Sequence, residues 1–351
     1  MDQQSTYSRR EVTPVFLGVV VVTCIVYAVM TTAQDALMAN TFLAGFGDIV
    51  AGCMTGDLGS KVLWYLADLT EASFMAAPSA AIPMVVAGFL AAWLEMKHSR
   101  WAGSGMDGNA KIFPVMATFG LLSPILAQVI FGGLFTTNGW LPTFAGFVVV
   151  QILVSKYGAG ISRAVTALIV GTVVTFPICY FFMVAITVPL GLPTFLSVAY
   201  GFIVSVPICC VICNCLPWMK STVALVATAP AEEEVAAVPY TPTPSGFFLN
   251  RMFGDVAELV AWGSSLAAIA MYVGATLGWL LNPLHPGYGA GNWPVIMCGQ
   301  ILTAALSVYL WYPRYKKNGW VFTFTSLIFA SAIFVTYSNS LLVVIPTIVV
   351  A

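Results

Sequence analysis

Apolar runs long enough to cross a lipid bilayer recur along this chain, separated by short polar, glycine-rich or proline-rich connections. A helix needs about 20 apolar residues to span the ~30 Å of bilayer hydrocarbon. Hydrophobic residues make up 60% of the chain and charged residues only 8%, whereas soluble domains carry about 25% charged residues. We therefore expect an all-α, polytopic integral membrane protein that crosses the cell (plasma or inner) membrane several times, with the lipid bilayer as its surroundings.

The apolar pattern predicts about ten transmembrane segments. Four glycines interrupt the segment from Phe46 to Glu71 and Gly45 precedes it, which favours a broken or re-entrant helix over a plain span. Prolines inside several other segments predict kinks. The predicted segments are 15–30, 46–71, 74–94, 113–135, 141–154, 164–187, 190–216, 256–281, 293–311 and 321–351, of which the last is one long or two broken helices.

Basic residues occur in alternate connections, which the positive-inside rule places on the cytoplasmic side. The connections around Asn138, Pro189 and His285 carry no lysine or arginine. The side of the N-terminus stays open, because it depends on how often residues 46–71 cross the membrane. The basic connections hold Lys97, Arg100 and Lys111, then Lys156 and Arg163, then Lys220 and Arg251, then Arg314, Lys316 and Lys317.

A polar linker divides the predicted membrane domain into two parts. Residues 221–246 contain Glu232–Glu234 and the sequence PYTPTPSG, which favours extended, poorly packed chain. We expect an N-terminal membrane half at 1–220 and a C-terminal half at 247–351 within one membrane domain. The cytoplasmic linker is a candidate docking arm for a soluble partner, and a homo-oligomer is the other possibility.

An acidic stripe in residues 46–71 is the leading candidate site. On a helix, Asp57, Lys61, Asp68 and Glu71 share an arc of roughly 80°. Each ionisable group at membrane depth costs at least ~2.5 kcal/mol, so such groups usually face a cavity, a partner or a solute path. With Asp48, the stripe is predicted to bind Na⁺ or a proton. The alternative is a surface hairpin in which Asp57 pairs with Lys61.

Further residues that could bind a substrate or an ion lie in the C-terminal half. Asp255 and Glu258 share a helix face, and are either part of a site or acids that stabilise a helix start. The loop from Asn282 to Asn292, which includes His285, cannot be regular helix because of its prolines and glycines. His285 could line an entrance, although an ordinary loop histidine is the simpler interpretation.

The composition excludes several other classes. Net charge is −1 and there is no basic patch, so nucleic acid is not an expected partner. Two histidines and scattered cysteines favour neither a metal site nor a disulfide framework, and no cofactor is expected. Signatures of nucleotide binding, serine hydrolysis and zinc proteolysis are absent, so we expect no enzyme.

A weak internal repeat runs through the chain. Phe46–Ile49 reads FGDI and Phe253–Val256 reads FGDV, and Tyr65 and Tyr272 keep the same offset. Coincidence and an ancient duplication are both open at this point. Broken glycine-rich segments, kinked spans and a possible duplication resemble features of elevator-type and other secondary carriers, and they also recur in membrane subunits of sugar phosphotransferase systems.

These observations favour a secondary active transporter that carries a small solute together with H⁺ or Na⁺. The alternative is the membrane (permease) subunit of a multicomponent uptake system, either of the phosphotransferase type or ATP-driven. An integral membrane enzyme acting on lipid is disfavoured because the chain lacks a recognisable nucleophile. No sequence motif identifies the solute.

Overall fold

The computed structural model describes residues 9–103, 110–220, 243–288, 292–311, 321–338 and 340–350. Over these ranges the chain is helical, with no β-strand, and several of the helices are long and apolar. The protein is therefore all-α and membrane-embedded, as the composition predicted. The chain forms two compact units: unit 1 contains residues 1–46, 73–107 and 238–351, and unit 2 contains residues 47–72 and 108–237.

Six helices are each long and apolar enough to cross a membrane, and a bent helix pair raises the number of possible spans to seven, among the described residues. The expected count of about ten is therefore not confirmed. The difference arises because several predicted segments are shorter helices, such as the 13-residue helix at Ala145–Tyr157 and the 10-residue helices at Phe46–Thr55 and Leu341–Val350. Each of these apolar runs was predicted to be a span, because a short apolar helix and one that crosses lipid look alike in sequence.

Unit 2 begins with two short helices that replace the predicted segment 46–71. Apart from Phe46, which lies in unit 1, α2 (Phe46–Thr55) belongs to this unit, and α3 (Leu58–Glu71) follows after Gly56 and Asp57. The chain turns at Gly56, whose φ of 85° is a conformation that glycine adopts without strain. The remaining helices are α5 (Phe113–Phe131) with a 3₁₀ turn at Gly132–Thr136, α6 (Ala145–Tyr157), α7 (Ile161–Phe182) with a π turn at Met183–Thr187, and α8 (Phe195–Cys215).

Glycines allow the helices of unit 2 to approach closely. A Cβ at Gly146 would lie 2.3 Å from the Ser123 hydroxyl and 3.2 Å from the Thr172 Cα, and a Cβ at Gly201 would lie 3.1 Å from the Cys179 Cα. Ser123 and Thr172 share a buried 2.7 Å hydrogen bond at this contact. Lipid supplies no hydrophobic drive between helices, so close packing and buried hydrogen bonds hold such bundles together.

Unit 1 is built around a central helix, α11 (Asn292–Leu310), most of which is buried. Its Gln300 side chain has three partners: it accepts from the Tyr272 hydroxyl and donates to the Ser73 carbonyl and the Ser331 hydroxyl, each at 2.9 Å. The other helices of the unit are α1 (Arg9–Leu37), α4 (Pro78–Met96), α9 (Pro244–Ala257), α10 (Ser265–Leu281), α12 (Val321–Tyr337) and α13 (Leu341–Val350), with 3₁₀ turns at Arg100–Ala102 and Glu258–Val260.

A sharp bend joins α9 to α10. Together they are apolar enough for one span but are bent by 73°. Ala261 and Gly263 have φ of 61° and 59°, and Ser264 then caps α10 by accepting from the Ala267 backbone N–H. Helix α9 begins at Pro244, so the predicted start of this segment at Val256 was wrong. Thr243 and Pro244 supply the N-cap and the first-turn proline, a helix-start signal that the sequence reading assigned to the linker.

Parts of the predicted loops lie outside the described residues. These parts are most of the linker, at 221–242, and the basic connection at 312–320. The division into halves at 220 and 247 therefore stays a prediction.

We predict that Gly146→Ala and Gly201→Ala each destabilise the protein by roughly 1–3 kcal/mol, because the added methyl group overfills a tight helix contact. Thermal unfolding in detergent measures the loss. Gly18→Ala is the matched control, since no atom lies within 4 Å of its Cβ position. Equal melting temperatures for all three variants would contradict the close packing described here.

Candidate functional site

The acidic residues near the N-terminal end divide into exposed and buried groups. Asp57 is the N-cap of α3, and its Oδ2 accepts a 2.6 Å hydrogen bond from the Ser60 backbone N–H. This bond stabilises the charged form and lowers the pKa of the exposed Asp57 carboxyl. Asp48 is also exposed, in the first turn of α2. Both carboxylates lie where helix starts favour negative charge.

Lys61 lies half-buried on α3. Within the described residues, no ion pair joins Lys61 to Asp57, because the Asp57 carboxyl turns toward the backbone at Ser60. Lys61 and Asp57 both lie within electrostatic range of Cys53. The surface pair that formed the alternative to a functional stripe is thus not the arrangement of these two side chains.

Asp68 and Glu71 form a buried carboxyl pair in the last turns of α3. Their residues are 0% and 2% exposed. Spaced three apart, they share a helix face, and their side chains interact electrostatically and through hydrogen bonding. Two adjacent carboxylates removed from water repel each other, so a fully charged pair is strongly disfavoured unless a cation or a proton joins it.

A directed chain of hydrogen bonds leads to Asp68. The Trp64 indole N–H donates to the Thr143 hydroxyl at 2.8 Å, and Thr143 in turn donates to Asp68 Oδ2 at 2.5 Å. An indole N–H is only a donor, so the single Thr143 proton must point to Asp68. Asp68 Oδ2 is therefore an acceptor, while Oδ1 is buried and receives no donor from the described residues.

A second indole fixes Glu71. The Trp140 N–H donates to Glu71 Oε1 at 2.6 Å, so this oxygen is also an acceptor. Trp140 and Thr143 both lie in the connection between the 3₁₀ turn at Gly132–Thr136 and α6. One connection therefore supplies a donor to each carboxyl of the pair.

The connection that carries Trp140 and Thr143 joins two helical runs of unequal length. The helical run Phe113–Thr136 contains 24 residues and rises roughly 36 Å, whereas the 13 residues of α6 rise roughly 20 Å. Lys111 precedes the first run and Lys156 lies in the last turn of α6, so the basic ends of both belong to the same membrane side. From these lengths we expect the start of α6, and the carboxyl pair bonded beside it, to lie within the apolar layer.

Unit 1 contains a separate set of charges at the α9–α10 bend. Arg251 contacts Asp255 at 2.6 Å and Glu258 at 3.5 Å, and the two acidic side chains are 1% and 8% exposed. Asp255 lies near the C-terminal end of α9, so it does not stabilise a helix start, whereas Glu258 is the first residue of the 3₁₀ turn that follows. A carboxylate at that end opposes the helix dipole, and the guanidinium of Arg251 offsets this cost.

Asn282 and Asn292 form hydrogen bonds with the backbone of unit 1. The Asn282 amide donates to the Leu43 carbonyl at 2.7 Å and accepts from the Leu284 N–H at 2.9 Å. The Asn292 amide donates to the Tyr288 carbonyl at 2.6 Å and accepts from the Ser338 hydroxyl. These contacts give both asparagines a structural role in the loop between α10 and α11.

His285 is a neutral, buried link in the same loop. Its Nδ1 lies 2.8 Å from the Ala44 carbonyl and its Nε2 accepts from the Ser79 backbone N–H at 3.3 Å, which specifies the tautomer protonated at Nδ1. Burial lowers the pKa of His285. A proton on Nε2 would face the Ser79 N–H, so the charged form breaks this contact.

The sequence analysis missed the side chains that complete the carboxyl site. Trp140 and Thr143 are not among the predicted site residues, because a tryptophan or a threonine near a span end is common. The available signal was the uncharged segment Asn138–Thr143, which places an indole and a hydroxyl around Pro142 in an unusually short hairpin. The pairing with α3 is a long-range contact that no local pattern encodes.

Comparison with known proteins finds no matching family model, no matching curated protein and no matching solved structure. Functional assignment therefore depends on the geometry of the two units.

We predict that the protein loses stability as the pH falls below about 6.5, the ordinary pKa of histidine. The unfolded chain binds a proton at His285 before the folded chain does, so acid favours unfolding. Melting temperatures across this pH range provide the measurement. His285→Ala should melt lower at neutral pH and flatten the acid limb.

The exposed His98 supplies the control for this experiment. His98→Asn keeps a residue type that tolerates its positive φ of 51°. An acid limb that is unchanged in His285→Ala, or lost in His98→Asn, would contradict the assignment.

Proposed function

We propose that this protein is a proton-coupled secondary active transporter of the plasma (inner) membrane, with Asp68 and Glu71 as the coupling site. The observation that carries the proposal is the buried pair itself. Thr143 and Trp140 donate to Asp68 Oδ2 and Glu71 Oε1, which leaves Asp68 Oδ1 as the oxygen to hold a proton shared with Glu71. A carboxyl pair of this kind gains and loses a proton when its surroundings change between dry and wet.

The hydrogen-bond arrangement favours H⁺ over Na⁺ as the coupling ion. Hard cations in proteins are held by several oxygen ligands at short distances. Here Thr143 already donates its proton to Asp68, and Trp140 occupies Glu71 Oε1. A proton shared between the two carboxyls needs no such set of oxygen ligands, and it removes the mutual repulsion of the carboxylates.

The broken helices support a transporter architecture with a duplicated element. Gly56 and Gly263 both have positive φ, and each is followed directly by an N-cap residue, Asp57 or Ser264. These pairs keep the same sequence offset as the repeated FGDI and FGDV segments, and each cap accepts from the backbone N–H three residues further on. Many transporters place their sites at discontinuous helices that belong to internal repeats.

We predict that Asp68→Asn removes a proton that the purified protein takes up as the pH is lowered, and that it abolishes solute-driven proton movement in vesicles. The amide keeps the size of the carboxyl but cannot share a proton with Glu71. Proton uptake is measured with a pH indicator in weakly buffered detergent solution. Asp57→Asn is the control, because Asp57 is exposed and should leave the uptake unchanged. Wild-type proton uptake in Asp68→Asn would reject the site.

We predict that Asp57 and Ser264 stabilise their helices in the same way, as N-cap residues. Ser264→Ala should destabilise the protein by about 1 kcal/mol, the usual loss for an N-cap. Asp57→Ala should also lower the melting temperature, and Asp57→Ser should restore it, because serine accepts the same backbone N–H. Failure of serine to replace Asp57 would argue against a duplicated element.

A further inference from the structure

The site around the carboxyl pair can accept further hydrogen bonds, but its donors are already engaged. Its neighbouring donors, the two indoles and the Thr143 hydroxyl, are already bound within the cluster. The group left without a donor is Asp68 Oδ1, which is an acceptor and fully buried. A ligand that completes this site must therefore donate hydrogen bonds or carry positive charge.

Aromatic side chains lie near the same carboxyls. The Trp64 ring meets Phe135 edge to face at a centroid separation of 4.9 Å, and the Trp140 ring lies 6.4 Å from that of Phe144. Tyr65 lies within electrostatic range of Asp68. Aromatic faces attract cations, most strongly where water is excluded. Carboxylates beside indole and phenol rings are a suitable environment for an organic ammonium group.

The geometry points to a protonated amine as the solute, bound by Asp68 and Glu71 in exchange for the proton that they share. This inference rests on the proposed proton site. One positive charge neutralises the same repulsion whether it belongs to a proton or to an ammonium group. The two cations therefore compete for the pair, and the transporter exchanges them across the membrane.

The balance of the exchange is simple. When the amine binds, the shared proton leaves the carboxyl pair to water and the ammonium N–H groups donate to the vacated oxygens. No covalent bond to the solute forms or breaks. A polyol or a carboxylic acid fits less well, because each also needs donors that the site has already committed to its own carboxyls.

Proton release on ligand addition tests the inference. Purified protein in weakly buffered detergent, at a pH where the pair holds its proton, receives benzylamine as the probe. Benzyl alcohol and benzoate are the neutral and anionic controls of similar size. We expect benzylamine to release protons saturably from wild type and from Asp57→Asn, and not from Asp68→Asn. Neither control compound should release protons.

Trp140→Phe separates cation binding from simple structural support. It retains an aromatic face but removes the donor to Glu71, so we expect the pH at which benzylamine and proton exchange to shift while saturable release persists. An unchanged exchange pH would overturn the assigned role of this indole. Melting temperatures of all variants identify any that fail to fold, and Glu71→Gln provides a second test of the pair if Asp68→Asn does not fold.

The outcomes distinguish the two proposals. If wild type takes up the proton that Asp68→Asn lacks, but benzylamine releases none, the amine is overturned and the proton site stands. If benzyl alcohol or benzoate releases protons as well as benzylamine, the solute class is also overturned. If neither Asp68→Asn nor Glu71→Gln changes proton uptake, the coupling site itself is rejected, and the amine inference falls with it.

Discussion

A carboxyl group enclosed by apolar protein must obtain every hydrogen bond from its neighbours, because water is not there to supply one. Asp68 and Glu71 are both subject to this constraint, and their negative charges also repel each other. Thr143 and Trp140 donate to Asp68 Oδ2 and Glu71 Oε1, and the Trp64 indole orients the Thr143 hydroxyl. Asp68 Oδ1 receives no donor from the described residues. The connection that precedes α6 supplies both of these donors, Trp140 and Thr143.

The buried carboxyl groups have different kinds of partner in the two units. Unit 2 uses neutral donors and leaves a requirement for positive charge. Unit 1 supplies its own cation, because Arg251 contacts both Asp255 and Glu258 at the helix bend. An acid with a built-in counter-charge favours a fixed structure, whereas one that lacks it favours binding and release. This contrast is why the proposed coupling site lies in unit 2.

Broken helices make both arrangements possible. A continuous helix satisfies its own backbone and offers little else to a ligand. At Gly56 and Gly263 the chain instead turns through left-handed glycine conformations and restarts at a capped residue. Side chains on either side of such a break project in different directions from those of a straight span. The matching position of these features in two parts of the chain supports a common origin for both.

The sequence alone determined the membrane-embedded, all-helical class, because composition and the length of apolar runs respond directly to the bilayer. It also identified the acidic residues of α3 as candidates, since charge in apolar surroundings is costly wherever it occurs. It could not separate Asp57 and Asp48, which are exposed near helix starts, from Asp68 and Glu71, which are buried. Nor could it count the spans, because a buried short helix such as α6 is as apolar as one that crosses lipid. Tertiary structure decided these points by bringing Trp140 and Thr143 to a helix distant in sequence, and hydrogen-bond partners at such separations leave no local pattern.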